Sequence, residues 1–208
     1  MINNTVGSQE IIPKSLRARK NLKLKLTQSE YDVLVGSILG DGYITKKGKI
    51  QIEQGEKQKQ YVEWKYEKLI NAKSGNIIKT TRKYKGKEFS SYRFWTRQFF
   101  SSWRNIFYPY GEKTIPRAKI NFSPLLLAVW YMDDGYLRKK NTIALSTDKF
   151  SKSELAYLAT ELNRQHELSV NIVKSKKLYF DTNSSIKFLN IVKPYIIPSM
   201  MYKISLTP

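Results

Sequence analysis

The chain alternates between stretches whose apolar positions recur every three or four residues and short stretches that alternate in twos. Thr27-Gln28-Ser29-Glu30 has the form of a capping box. Tyr31, Leu34, Val35 and Ile38 follow at helical spacing until Gly40-Asp41-Gly42 stops the helix. Tyr43–Thr45 and Lys49–Gln54, around a Lys46-Lys47-Gly48 turn, predict a hairpin in which Ile50 and Ile52 alternate with polar neighbours. A second helix is predicted over Lys59–Lys73, with Val62, Tyr66 and Leu69 on one face. A second hairpin follows, Ile77–Lys83 and Phe89–Trp95, turning at Lys85-Gly86. A third helix carries Phe99, Phe100, Trp103, Ile106 and Phe107 and ends at Pro109.

The same order then recurs. Ser123-Pro124 opens a helix, Ser as N-cap and Pro in the first turn, with Leu125, Ala128, Val129 and Met132 as its buried face and Asp134-Gly135 as its stop. Tyr136–Lys139 and Ile143–Thr147 predict a hairpin. Ser151-Lys152-Ser153-Glu154 is a second capping box, opening a helix through Leu155, Leu158, Ala159 and Leu162. Val170–Lys174 and Leu178–Thr182 form the next strand pair, and a last helix runs through Ile186, Leu189 and Val192 to Pro194. Each half thus reads helix, hairpin, helix, hairpin, helix, and an internal repeat implies two structurally related halves. The expected division is a basic arm over 1–26, a first repeat over 27–120 and a second over 121–208.

Charge narrows the partners. Lys and Arg total 37 against 17 Asp and Glu, a formal net charge of +20. Such a surplus repels itself unless a polyanion offsets it. Nucleic acid is the first candidate, through counterion release, and an anionic membrane the second. The arm, with Lys14, Arg17, Arg19, Lys20, Lys23 and Lys25, reads as a DNA-gripping tail or a mitochondrial address. There is no cysteine, which excludes disulfides and thiolate metal sites, and His166 is the only histidine. In Asn163-Arg164-Gln165-His166-Glu167 it reads as a solvated helix end. The longest apolar run, Leu125 to Met132, is too short to cross a bilayer, and the N-terminus lacks the apolar segment of a secretion signal.

Asp41 and Asp134 carry the candidate chemistry. Each ends an apolar helix, at matching places in the repeat. An isolated Asp-Gly is usually a turn, but here it recurs in register, and a carboxylate at a helix C-terminus is disfavoured by the helix dipole unless a cation binds there. Carboxylate and carbonyl oxygens suit a hard ion such as Mg²⁺. If the two helices pack together, their ends bring both aspartates to one place, the geometry for metal-assisted phosphodiester hydrolysis.

Leu34-Val35-Gly36-Ser37-Ile38-Leu39-Gly40-Asp41-Gly42 resembles the LAGLIDADG motif, and Leu127-Ala128-Val129-Trp130-Tyr131-Met132-Asp133-Asp134-Gly135 resembles its second copy. The resemblance runs from about residue 27 to the C-terminus. It is closest to the omega-type intron endonucleases of fungal mitochondria around Lys113-Thr114-Ile115-Pro116, Trp130–Gly135, Lys193-Pro194-Tyr195-Ile196-Ile197-Pro198 and Met201-Tyr202-Lys203. It implies an α+β fold of two pseudo-twofold related αββαββα repeats, a central pair of packed motif helices and two saddle-shaped antiparallel sheets. It implies metal at Asp41 and Asp134, with Gly40 and Asp133 before them; for Asp133 the backbone carbonyl is expected to matter more than the side chain. A basic residue beside each site matches Lys113 and Lys203, and water-positioning groups match Gln54 and, less well, Asp148. Gly36 and Gly40 give the first motif helix a small face where the second has Val129 and Asp133, so the two cannot contact symmetrically.

Strand parity adds a candidate DNA surface: Lys79, Thr81 and Lys83; Ser91, Arg93 and Trp95; and Lys174 and Lys176 in the second half. The function implied is sequence-specific cleavage of double-stranded DNA at a long asymmetric site by a monomer. Mg²⁺ is the expected cofactor, with Mn²⁺ able to substitute and Ca²⁺ expected to bind without supporting cleavage. An RNA-binding intron maturase of the same fold is the alternative, and a non-cutting DNA-binding regulator a third reading that the intact aspartates oppose. Lysine-, asparagine- and tyrosine-rich usage fits an AT-rich organelle gene, hence a mitochondrial location.

Overall fold

A computed structural model describes residues 24–117 and 120–205, the side chain of Lys140 excepted. Of the basic arm, residues 1–23, with Lys14, Arg17, Arg19, Lys20 and Lys23, lie outside the described residues. The chain divides into two compact units, one up to Pro109 and one from Tyr110. Ile115 and Ile120 are bonded within the second unit: the Ile115 amide donates to Glu154 at 2.7 Å and the Gln165 side-chain amide donates to the Ile120 carbonyl at 2.9 Å.

In the first unit, α1 (Gln28–Leu39) opens with the predicted capping box. Glu30 Oε2 accepts from the Thr27 amide at 2.9 Å, and Thr27 Oγ1 accepts from the Glu30 amide at 3.1 Å. Glu30 also accepts from both nitrogens of Asn71, which anchors the turn after the second helix to the start of the first. β1 (Tyr43–Ile44), β2 (Ile50–Gly55), β3 (Lys73–Tyr84) and β4 (Lys87–Thr96) form an antiparallel sheet in the order β1-β2-β4-β3. Its β3–β4 turn holds Lys85 and Gly86 both at positive φ, as a two-residue hairpin loop matched to strand twist requires.

α2 (Lys59–Lys68) is shorter than predicted. Asn71 is captured by Glu30 and the Ala72 carbonyl by the Arg97 amide, so the chain enters β3 at Lys73 instead of continuing the helix. Tyr61, Val62, Lys65 and Leu69 are buried along α2, while Tyr66 is half-buried and donates to the Gly75 carbonyl. α3 (Ser101–Phe107) buries Trp103 and Phe107.

The second unit repeats the plan. α4 (Pro124–Asp134) is capped by Ser123, whose Oγ accepts from the Leu126 amide. Every residue from Leu126 to Met132 is buried, so α4 has no single buried face, and the predicted Leu125 is only half-buried. A helix apolar all round is a buried helix. β5 (Gly135–Leu137), β6 (Ile143–Leu145), β7 (Val170–Ile172) and β8 (Leu178–Phe180) give the order β5-β6-β8-β7, the same as in the first unit.

α5 (Lys152–His166) carries the second capping box. His166 at its end is half-buried, with Nε2 2.6 Å from the Phe122 carbonyl, where a solvated position was expected. α6 (Thr182–Val192) is capped by Asp181 and buries Ser184, Ser185, Phe188 and Val192; the predicted Ile186 is 51% exposed. The two serines take the inner face because the Ser185 hydroxyl meets the Ile143 amide and the Ser184 hydroxyl meets the Ser169 amide. Two 3-10 segments, Lys193–Tyr195 and Pro198–Lys203, follow.

Candidate active site

Asp41 leaves the end of α1 after Gly40, and the chain reverses sharply there. The Gly42 amide donates to the Ser37 carbonyl at 2.6 Å, and a Cβ on Gly42 would stand 2.7 Å from that oxygen. Only glycine fits so close an approach, so the Asp-Gly pair fixes the carboxylate at the helix end. Asp41 is exposed, and its Oδ2 accepts from Gln54 Nε2 at 3.0 Å. Gln54 is 8% exposed, near the end of β2, opposite Tyr92. Helix end and strand end thus place carboxylate and amide side by side.

In the second unit Asp134 is the last residue of α4, and its carbonyl accepts from the Ser146 amide at 3.0 Å. A Cβ on Gly135 would overlap the Tyr131 ring and lie 2.5 Å from the Tyr131 carbonyl, so the second Asp-Gly is built under the same constraint. Lys203 Nζ donates to the Asp133 carbonyl at 3.0 Å, and Tyr131 Oη donates to the Lys203 carbonyl at 2.8 Å. Burial raises the Tyr131 phenol far above its ordinary pKa, so it remains a donor. These two bonds pin the C-terminal 3-10 segment to the end of α4 and set Lys203 one residue from Asp134. The carbonyl expected to serve metal at Asp133 therefore accepts a lysine.

Two further predicted residues lie outside the helices and strands. Lys113 lies two residues before Ile115, whose amide is anchored to Glu154 of α5. Asp148 is exposed in a turn beyond β6. Asp41 and Gln54 are 13 residues apart, and the same step from Asp134 arrives at Thr147. The registers agree, because Tyr43 faces Gln51 and Tyr136 faces Ala144. Thr147 is 1% exposed and donates to the Lys176 carbonyl at 2.7 Å. Thr147 thus stands at the position of Gln54 in the second hairpin, one residue before Asp148.

The expected sheet residues divide between two faces. Directly opposed residues of an antiparallel pair point to the same side. Lys79 faces Tyr92, Thr81 faces Ser90 and Lys83 faces Glu88, on the side of buried Phe94, Ile52 and Gln54. Lys79 accordingly pairs with Glu56 at 2.6 Å. Ser91, Arg93 and Trp95 lie on the other, open face with Gln51, Glu53, Ile78, Thr80 and Arg82. The two-residue loop at Lys85-Gly86 pairs odd positions of β3 with even positions of β4, so the two odd-numbered sets cannot share a surface. Lys174 and Lys176 are exposed but occupy the β7–β8 turn, with Lys176 at positive φ. Sequence reasoning missed Tyr136, Asn171 and Tyr179, which share a face of the second sheet. Arg138 lies 3.8 Å over Tyr179 and Lys177 5.6 Å from Tyr136, a basic and aromatic surface.

Residues 31–188 match the model of the LAGLIDADG DNA endonuclease family. The chain belongs to that family. A probable intron-encoded endonuclease of Wickerhamomyces canadensis is 31% identical to this LAGLIDADG chain, covering 92% of it and 90% of the relative. A cytochrome b mRNA maturase of Saccharomyces cerevisiae is also 31% identical, over 86% of the chain and 48% of the relative. The chain spans about half the length of that maturase and of other curated relatives it matches. Among solved structures, the homing endonuclease I-WcaI bound to its DNA recognition sequence is similar, with 27% identity, a TM-score of 0.77, and coverage of 88% of this chain and 89% of that one.

Among the described residues of the LAGLIDADG chain, no group of three or more His, Cys, Asp or Glu is placed to hold a metal. The first motif instead offers the Asp41 carboxylate, with the Gln54 amide beside it, and the second offers Asp134 with Asp133 before it. An all-oxygen, incomplete set fits a hard divalent ion that keeps water and substrate phosphate among its ligands. No helix among the described residues is long and apolar enough to cross a membrane.

Proposed function

We propose that this chain is a sequence-specific endonuclease that hydrolyses both strands of duplex DNA with divalent metal, acting as a monomer at a long asymmetric site. The observation that supports it best is the repeated helix-end aspartate, Asp41 held by Gln54 and Asp134 flanked by Lys203, in a chain of this family. Asp41 and Asp134 would hold Mg²⁺, or Mn²⁺ in its place, with the Gly40 and Asp133 backbone adjoining. The bound ion would supply Lewis acidity at phosphate and a lowered pKa for its water. Gln54 orients the Asp41 carboxylate and can orient the attacking water through its amide. Lys203 lies where its charge offsets that building on the phosphate. Lys113 and Asp148 remain candidates for supporting roles of the same kind, and Lys79, Thr81, Lys83, Lys174 and Lys176 for contacts with the phosphate backbone. The two aromatic, basic sheet faces supply the DNA surface.

The yeast relatives, a cytochrome b mRNA maturase and an intron-encoded endonuclease, support an organelle-intron origin and so a mitochondrial location. The maturase also supports a second reading, binding of intron RNA by the same surface. Incubation with a randomised duplex library in Mg²⁺, Ca²⁺ or EDTA tests the proposal. Cleavage of a selected duplex in Mg²⁺, binding without cleavage in Ca²⁺ and no cleavage in EDTA are expected. Tight binding of intron RNA with no duplex cut in any metal would favour the maturase reading, and full cutting in EDTA would end the metal assignment.

A further inference from the structure

The open face of the first sheet carries an acidic residue at the centre of a basic surface. Glu53 on β2 is 19% exposed at its side chain and faces outward opposite Arg93. Its Oε2 accepts from Gln51 Nε2 at 2.8 Å and lies 3.7 Å from Arg93 Nη1. Its Oε1 accepts from Ser91 Oγ at 2.6 Å and from Arg82 Nη2 at 3.5 Å. The Arg93 guanidinium lies 5.0 Å over the Trp95 ring, and its Nε is buried without a hydrogen bond among the described residues. Arg93 is thus held by a ring beneath it and a carboxylate at its Nη end, while Arg82, 65% exposed at its side chain, reaches outward from the same carboxylate.

A carboxylate on this surface repels phosphate, and a partly exposed ion pair stabilises a fold little. What the carboxylate does gain is order. An untethered arginine spreads over many rotamers, whereas a stacked and tethered one keeps its planar fork in one orientation. That fork matches the O6 and N7 edge of guanine in the major groove. We propose that Glu53 is a specificity-determining positioning residue, which holds Arg93, with Arg82 beside it, as a preorganised guanine reader. The inference rests on the reading of this chain as a sequence-specific binder of duplex DNA.

The test is selection of bound duplexes from a randomised library by the wild-type chain, Glu53→Gln and Arg93→Lys, with sequencing and thermal melts. The wild type should enrich a consensus containing a guanine whose preference falls roughly tenfold in both variants at the same base pair. Glu53→Gln should bind unselected duplex as tightly as the wild type or more so, because an anion is gone. A carboxylate that only braced the sheet would lower melting and leave the base preferences alone. Should Glu53→Gln fold poorly, Glu53→Asp, which keeps the charge but shortens its reach to Arg93, carries the test at the same base pair. Unchanged preferences in the variants, or losses at different base pairs, overturn the inference while leaving the endonuclease reading intact. Failure of the wild type to enrich any sequence overturns both.

Discussion

Gly42 and Gly135 leave no room for a side chain at the two helix ends. A methyl on Gly42 would press on the Ser37 carbonyl, and one on Gly135 would enter the Tyr131 ring. Each alanine substitution should lower stability by about 1–3 kcal/mol, read as a drop in denaturant midpoint at unchanged slope. An unchanged midpoint would mean that the turns are not built as described. The helix stop at Asp41 was legible as a local signal, whereas Gln54 was singled out by resemblance alone, and the hydrogen bond between them is written in no sequence pattern. Thr147 was hidden by its neighbour: Asp148 has the more reactive side chain, but only the hairpin register tells that Thr147 holds the place of Gln54. Lys203 was singled out by resemblance, and its side chain donates to the Asp133 carbonyl. Lys203→Met should keep DNA binding and the fold while cutting falls by roughly 10²-fold, in kinetics at saturating enzyme.

The capping boxes show how far an element can be read from a four-residue pattern. Both Thr27–Glu30 and Ser151–Glu154 close as predicted. Burial raises the pKa of each glutamate, but hydrogen bonds outweigh it: from Thr27 and Asn71 for Glu30, and from Ser151 and Ile115 for Glu154. Both therefore lie below the ordinary carboxylate value. A carboxyl with a depressed folded pKa stabilises the protein above its unfolded pKa, and that stability is lost as pH falls through the folded value. Stability should decline on acidification below about pH 4.5, and the gap between wild type and Glu30→Gln should close there. A gap that stays constant with pH would contradict this account. The end of α2 was not legible, because what stops it is Glu30, 41 residues from Asn71. Sheet faces were misread for a related reason. Alternation within one strand was visible, but which positions of two strands share a side depends on loop length and pairing.

The charge of +20 belongs to the whole molecule and shaped the functional reading before any residue did. If the sheets bind duplex DNA through six or more phosphates, affinity should fall by roughly 10³-fold between 50 and 200 mM salt. A flat dependence would remove the sheets as the DNA surface. The repeat was legible at this scale too, since helix stops, hairpins and caps recur in order, and both sheets share one strand order. The central claim is that Asp41 and Asp134 serve metal-dependent cleavage, and its most direct test is strand cutting of a selected duplex in Mg²⁺ by Asp41→Asn and Asp134→Asn. An amide keeps the shape and loses the charge that would hold the ion. Each variant is therefore expected to cut roughly 10³-fold more slowly while binding and melting as the wild type does. Near-wild-type cutting by both variants would contradict the account.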